Sequence, residues 1–385
     1  MNHQYFFFFG IHPRLSITEL QAIFPTADIE FQDNIANIIL TESLSDEDIQ
    51  DIQTRMGGTI KIAKKLGVVE FSEVVSTISQ LLIDRNTEEV KLTIGLNAHG
   101  IEERHIKKWA LPVKKAVPFS MRFCNKDFKN LSSVVTRKQI ITQKNAFEFN
   151  LIKAQDNLLV LSETLSCQDI DGYGKRDFEK PVRDAKNGMI PPKLAQIMIN
   201  IAGQNAKTIY DPFCGTGTIM MEAMLMNKKT LGSDLNPKMI DASQKNITWL
   251  TNVFHTPQEL CKKIFLHNAT KLIDIQADAI VTEGYLGKPL RLTPTEDDLK
   301  KTDLELTKLY EPFFQNAFRN KIKTIVITLP VYRMRTNYGF MEKTLARIIQ
   351  SGYNPAALGD FKRKSLIYGR KNQFLHREIF KFTLK

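Results

Sequence analysis

Residues 211–218 read Asp-Pro-Phe-Cys-Gly-Thr-Gly-Thr and lie between a short apolar stretch and a helical pattern. Glycines at 215 and 217 permit a tight turn and let backbone approach a ligand closely. Ligands of open α/β sheets bind outside the carboxyl ends of the strands, where this turn falls. The spacing lacks the third glycine of a dinucleotide fingerprint and the Gly-Lys-Ser/Thr of a phosphate loop. Asp211 at the head of the turn repels phosphate and attracts an ammonium or a sulfonium. S-adenosylmethionine carries both.

Further acids and amides follow at strand ends. Asp234 stands 17 positions after Gly217, where a carboxylate can accept from both hydroxyls of a ribose. Gly232 before it would let the sugar lie close. Asn268, in His267-Asn268-Ala269, could accept from an adenine amine and donate to a ring nitrogen. With Phe213, Gly215, Gly217, Thr218, Leu235 and Ala269, these residues make up the expected cofactor set. The competing reading of each is a structural turn.

The elements that position them alternate. Strands are expected at 208–210, 230–233, 264–266, 279–281 and 324–329, and helices at 218–226, 237–250, 303–318 and 340–350. That alternation implies a parallel sheet with helices on both faces. Segments 365–370 and 378–384 are too close for a crossover helix and predict an antiparallel hairpin. Upstream, Pro191-Pro192 opens a helix over 193–202 that Gly203 closes. The polar stretch 171–189 reads as a linker.

The first 165 residues read as smaller α/β pieces, either one composite domain or two. Strands are expected at 5–10, 36–40, 59–64, 89–96, 120–123, 147–152 and 158–164. Helices are expected at 16–24, 45–56, 104–114 and 132–141. Ser16 with Glu19, and Ser45 with the acids after it, have N-cap spacing. The run Tyr5–Phe9, with no basic residue before it, predicts a buried strand rather than a signal peptide.

Composition narrows the class. The 385 residues include 53 Lys and Arg against 42 Asp and Glu, a net charge of +11 that suits a polyanion partner. The charge is uneven: residues 1–50 carry −7, residues 101–150 carry +7, and 361–385 carry +7. The middle segment is the expected nucleic-acid contact. Cys124, Cys167, Cys214 and Cys261 have no CxxC spacing, so no metal site is expected, and free thiols suit a reducing cytosol. No apolar run reaches the roughly 18–20 residues of a membrane helix. A cytoplasmic monomer without membrane or metal is the expectation.

DPFCGTGT followed by GSDLNP resembles the S-adenosylmethionine loop of class I methyltransferases. Together with Arg183-Asp184 and Pro191-Pro192-Lys193-Leu194-Ala195, it resembles the THUMP-containing tRNA guanine-N2 methyltransferases that modify position 10. YFFFFG near the start, MGGTIKIAKKL at 56–66 and the basic stretch up to Leu165 are similar to that family's N-terminal and THUMP parts, so the resemblance covers nearly the whole chain. It implies an N-terminal α/β domain over 1–85 and a THUMP-like RNA-binding domain over 86–170. A linker with a leading helix would follow over 171–205, then a Rossmann-like methyltransferase domain over 206–385. It also implies S-adenosylmethionine as cofactor and tRNA as partner.

The chain departs from the family at the end of the fourth strand of that last domain. The family has an acid or amide, two prolines and an aromatic there; this chain has Thr282-Glu283-Gly284-Tyr285. Methylating an exocyclic amine needs an acceptor beside the nitrogen, whose lone pair is delocalised into the ring. Glu283 could supply that oxygen and Tyr285 a stacking face; Thr282 would offer only a hydroxyl. Carbon-5 pyrimidine methylation is disfavoured, because no cysteine follows that strand and Cys214 reads as a packing residue. Tyr332 and Arg333 could approach the target nucleotide, and Lys362, Arg363 and Lys364 the RNA backbone. Two rivals stay open: a DNA amino-methyltransferase, and a non-catalytic RNA-binding protein that keeps a donor pocket.

Overall fold

The computed structural model describes residues 2–86, 90–184, 189–288, 292–358, 366–370 and 373–385. Lys362, Arg363 and Lys364 lie outside them. The chain divides into two compact units. One takes in Met1–Pro13, Thr26–Thr54 and Thr59–Gly172, and the other Arg14–Pro25, Arg55–Gly58 and Tyr173–Lys385.

The first unit holds β1 (His3–Phe9), β2 (Asp28–Gln32), β3 (Ile35–Leu40), β4 (Thr59–Glu70), β5 (Leu92–His99), β6 (Met121–Phe123), β7 (Ala146–Lys153) and β8 (Leu158–Cys167). They form one sheet in the order β2-β3-β1-β4-β8-β7-β5-β6, drawing on both the 1–85 and the 86–170 segments. Tyr5 to Phe9 are all buried in β1, as the aromatic run predicted. Two helices, Val74–Arg85 and Arg104–Ala116, bury Ile78, Leu82, Ile106, Trp109 and Val113 with Leu96 and Phe149 of the sheet. The first of them was not anticipated. On the second, Lys107, Lys108, Lys114 and Lys115 stay exposed, because the apolar positions recur at helical spacing on the opposite face. Helix Asp46–Arg55 begins at the expected Ser45 cap, and the cap is reciprocal: the Asp48 amide donates to the Ser45 hydroxyl and the Ser45 amide to the Asp48 carboxylate.

The second unit holds β9 (Thr208–Asp211), β10 (Lys229–Asp234), β11 (Cys261–Leu266), β12 (Ala279–Thr282), β13 (Thr324–Arg333), β14 (Tyr338–Gly339), β15 (Tyr353–Pro355), β16 (Ile367–Tyr368) and β17 (Leu375–Leu384). The sheet order is β11-β10-β9-β12-β13-β17-β15, with β14 beside β13 and β16 beside β17. The pairs β11–β10, β10–β9, β9–β12 and β12–β13 are parallel. From β9 the chain winds outward through β10 to β11, then returns to the other side of β9 with β12. A crevice opens at such a reversal, beyond the carboxyl ends of the two strands. The buried apolar runs of β12 and β13 follow from cover on both faces.

Several expectations change. The hairpin survives as a short β16–β17 pairing, but β17 lies chiefly antiparallel to β13, and β15, which was not anticipated, closes its other side. Pairing with β17 and, at its end, β14 carries β13 on to Arg333, beyond the expected end at 329. Tyr332 is therefore fully buried, its hydroxyl 2.9 Å from that of Thr302, and cannot face a nucleotide. The helix expected from Ser16 starts at Pro13. Ser16 donates to the Gly58 carbonyl at 3.1 Å. Glu19 caps nothing: its carboxylate accepts from the amides of Gly57 and Gly58 and from Asn200 Nδ2, at 2.9, 2.8 and 2.7 Å. Burial pushes its carboxyl up to about 7 against those three hydrogen bonds. No helix among the described residues is long and apolar enough to cross a membrane.

Candidate active site

The turn after β9 is built by its glycines. Gly215 (φ 51°) and Gly217 (φ 83°) sit in the left-handed region, and helix Thr218–Leu225 starts directly afterwards. Asp234, at the end of β10, ties the turn down: Oδ2 accepts from the Gly215 amide at 3.0 Å and Oδ1 from the Asn236 amide at 2.9 Å. Leu235 beside it is 69% exposed. Gly232 has a different reason from the one expected. A Cβ there would lie 2.2 Å from Met220 Sδ and 3.2 Å from Cys214 Cβ, so the glycine makes room for the helix, not for a sugar.

Asp211 is buried. Its Oδ1 accepts from the Thr282 hydroxyl at 2.6 Å and from the Phe213 amide at 3.2 Å. Burial pushes its carboxyl up to about 7; Asp234 and Glu283 add to the rise, and the two hydrogen bonds oppose it. Thr282 is fully buried and donates, so it positions Asp211 rather than accepting from an amine. Cys214 is buried against Met220 and Ile247, its thiol pushed up by burial, as a packing residue should be.

A cleft of about 70 Å³ brings Asp211, Phe213, Gly215, Thr216 and Thr218 together with Glu283 and, from the preceding segment, Asp184 and Met189. Its described lining holds three carboxylates and no lysine or arginine. Met189, Thr216 and Met239 were not singled out from sequence, since nothing in their types marks them. Lys180, buried nearby, donates to the Thr218 hydroxyl at 2.8 Å.

The other expected residues are not among those that line this cleft. Ala269 lines a small apolar cavity of about 30 Å³ with Pro212 and His267. Asn268 Oδ1 accepts from both the amide and the hydroxyl of Thr270, at 3.0 and 2.8 Å. Its acceptor is thus spent on its own turn, which leaves the amide NH2 as the group able to meet a ring nitrogen. Tyr285 is 39% exposed.

The loop after β12 is fixed at three points. Glu283 forms an ion pair with Arg377 of β17. The Tyr310 hydroxyl donates to the Tyr285 carbonyl at 2.8 Å. A Cβ on Gly284 would fall 2.0 Å from that same hydroxyl, so only glycine fits beneath it. Sequence spacing gave no signal for Arg377, which follows Glu283 by 94 positions.

Fold and crevice together are those of a Rossmann-like α/β domain with a ligand cleft beyond its strand ends. Residues 181–271 match the family model described as UPF0020, RMKL-like, methyltransferase domain. The chain is similar to the tRNA (guanine(10)-N2)-dimethyltransferase of Methanothermobacter thermautotrophicus, 25% identical over 326 residues that cover 80% of this chain and 82% of that one. It is also similar to the Pyrococcus abyssi protein of the same name, 24% identical over 69% of this chain and 82% of the relative. Among solved structures, TrmN from Thermus thermophilus superposes with a TM-score of 0.56 at 12% identity, covering all of both chains. A possible methylase from Clostridium difficile 630 does so at 0.50 and 14%, covering 100% of this chain and 99% of that one. At these identities the two structures speak for the fold.

Proposed function

We propose that this chain methylates the exocyclic N2 amine of a guanine in tRNA, using S-adenosylmethionine. The observation that carries the reading is the cleft beyond β9 and β12, lined by Asp184, Asp211 and Glu283 with no cationic side chain among its described residues. Such a lining suits a positively charged ligand and rejects a phosphate. The names of the relatives supply the substrate class.

The residues present fit that donor. The turn at Gly215 and Gly217 would take its amino-acid part, with Asp211 facing positive charge. Asp234 would accept from the ribose, Leu235 would cover an apolar face, and Asn268 would donate to the base. When bound, S-adenosylmethionine supplies an electrophilic methyl group. The chain's own work is then positioning and charge. Glu283 would accept an N–H of the target amine and take the proton it gives up. Tyr285, 39% exposed, would stack on the base. A base in a duplex has to be flipped out to reach the cleft.

For residues 86–170 we propose a THUMP-like RNA-binding role, supported by the exposed lysines of helix Arg104–Ala116. A monomer in the cytoplasm completes the reading; the four cysteines are free thiols. Nucleoside mass spectrometry of undermodified tRNA incubated with protein and donor tests it. Appearance of N2-methylguanosine is expected; methylation of plasmid DNA alone would reverse it.

A further inference from the structure

Glu283 stands where no proline stiffens the chain, yet residues on either side of it are tied down. Thr282 before it is tied to Asp211, and Tyr285 after it to Tyr310. The carboxylate itself meets Arg377, whose strand is paired on both sides: Arg377 lies opposite Pro330 of β13 and Tyr368 of β16. The two side chains are only 13% and 16% exposed. The contact is one bond, from Arg377 Nε to Glu283 Oε1. A carboxylate has about four lone-pair sites, so Oε1 and Oε2 each keep room for another donor. Both belong to a side chain that lines the same cleft as Asp211 and Gly215.

An ionised carboxylate only accepts. The pairing edge of guanine presents two adjacent donors, N1–H and N2–H. Adenine and cytosine each present one amine donor beside a ring-nitrogen lone pair. Two carboxylate oxygens match the first pattern; against the second, one oxygen faces a lone pair. An amide side chain, with one acceptor and one donor, has the reverse preference.

We propose that Glu283, oriented by Arg377, is the guanine-selecting residue, taking N1–H and N2–H of the flipped base on its two oxygens. This rests on the methyl-transfer reading and adds the source of its base choice. Glu283 touches the substrate; Arg377 is a positioning residue that acts through it.

The test is a synthetic tRNA with 2-aminopurine in place of the guanine that wild-type protein methylates. 2-Aminopurine keeps the reactive amine at carbon 2 but offers a lone pair at N1. A site built around an N–H rejects the analogue that lacks it, so wild-type kcat/KM is expected to fall by roughly 30-fold or more on this substrate. Glu283→Gln is expected to invert the ratio, favouring 2-aminopurine. Arg377→Met is expected to lower kcat and blunt the discrimination with KM for S-adenosylmethionine unchanged, and Arg377→Lys to restore part of both. Equal wild-type rates on the two substrates overturn the proposal, whether or not the variants fold. So does a Glu283→Gln protein that loses both substrates in proportion. Wild-type protein inactive on guanine-bearing tRNA as well removes the methyl-transfer reading itself, and this assignment with it.

Discussion

The Thr282 hydroxyl donates to Asp211 Oδ1 at 2.6 Å, joining the ends of two neighbouring parallel strands. One strand carries the turn proposed to hold the methyl donor, the other the loop proposed to hold the base. This bond between buried side chains extends the β9–β12 pairing to the point where the two halves of the site begin.

The Asp211 carboxyl is held at about 7, far above its ordinary 3.8, chiefly by burial. A carboxyl raised on folding stabilises the empty protein below its unfolded value, and that contribution is lost as pH rises through 7. Binding of a cation runs the other way, because it needs the ionised form. Affinity for S-adenosylmethionine should therefore climb about tenfold between pH 6 and 8 and then level off. Calorimetry across that range checks it, with Asp211→Asn expected to flatten the curve.

Asp234 holds the Gly215 amide and is proposed to accept from the ribose. Asp234→Ala should weaken donor binding by about 10- to 100-fold, the size of one or two hydrogen bonds to a charged group. An unchanged dissociation constant in calorimetry removes the residue from that role.

Gly284 lies under the Tyr310 hydroxyl, and Tyr310 is fully buried among Phe213, Phe313 and Phe314. The tyrosine cannot retreat. Gly284→Ala should push the loop outward, cost about 1–3 kcal/mol of stability by overpacking, and lower kcat while donor affinity stays level. Denaturant titration and single-turnover methylation read the two effects. Tyr310→Phe, which removes only the hydroxyl, should lower kcat with a smaller stability loss.

Glu19 gathers three buried donors from separate parts of its unit. Glu19→Ala leaves them unsatisfied and should cost about 2–5 kcal/mol. Because its carboxyl is raised from 4.5 to about 7, its contribution is greatest below 4.5 and is lost as pH rises through 7. Urea unfolding at pH 5 and 8 should show a larger wild-type decline than the variant shows.

The sequence by itself determined what depends on near neighbours. Helical and strand periodicity gave the α/β alternation, and the paired glycines with Asp211 and Asp234 marked the strand-end turn, because such signals lie within a few residues. The Ser45 cap was legible for the same reason. Tertiary structure alone decided the meaning of residues whose partners lie far along the chain. Ser16 and Glu19 have a capping spacing, yet they bond to Gly57, Gly58 and Asn200. Tyr332 stands past a strand's expected end, yet β17 extends that strand and buries it. Glu283 reads as a lone acid until Arg377 comes to it across the sheet. Spacing carries no record of such pairs, because the fold brings them together by strand order rather than by chain distance.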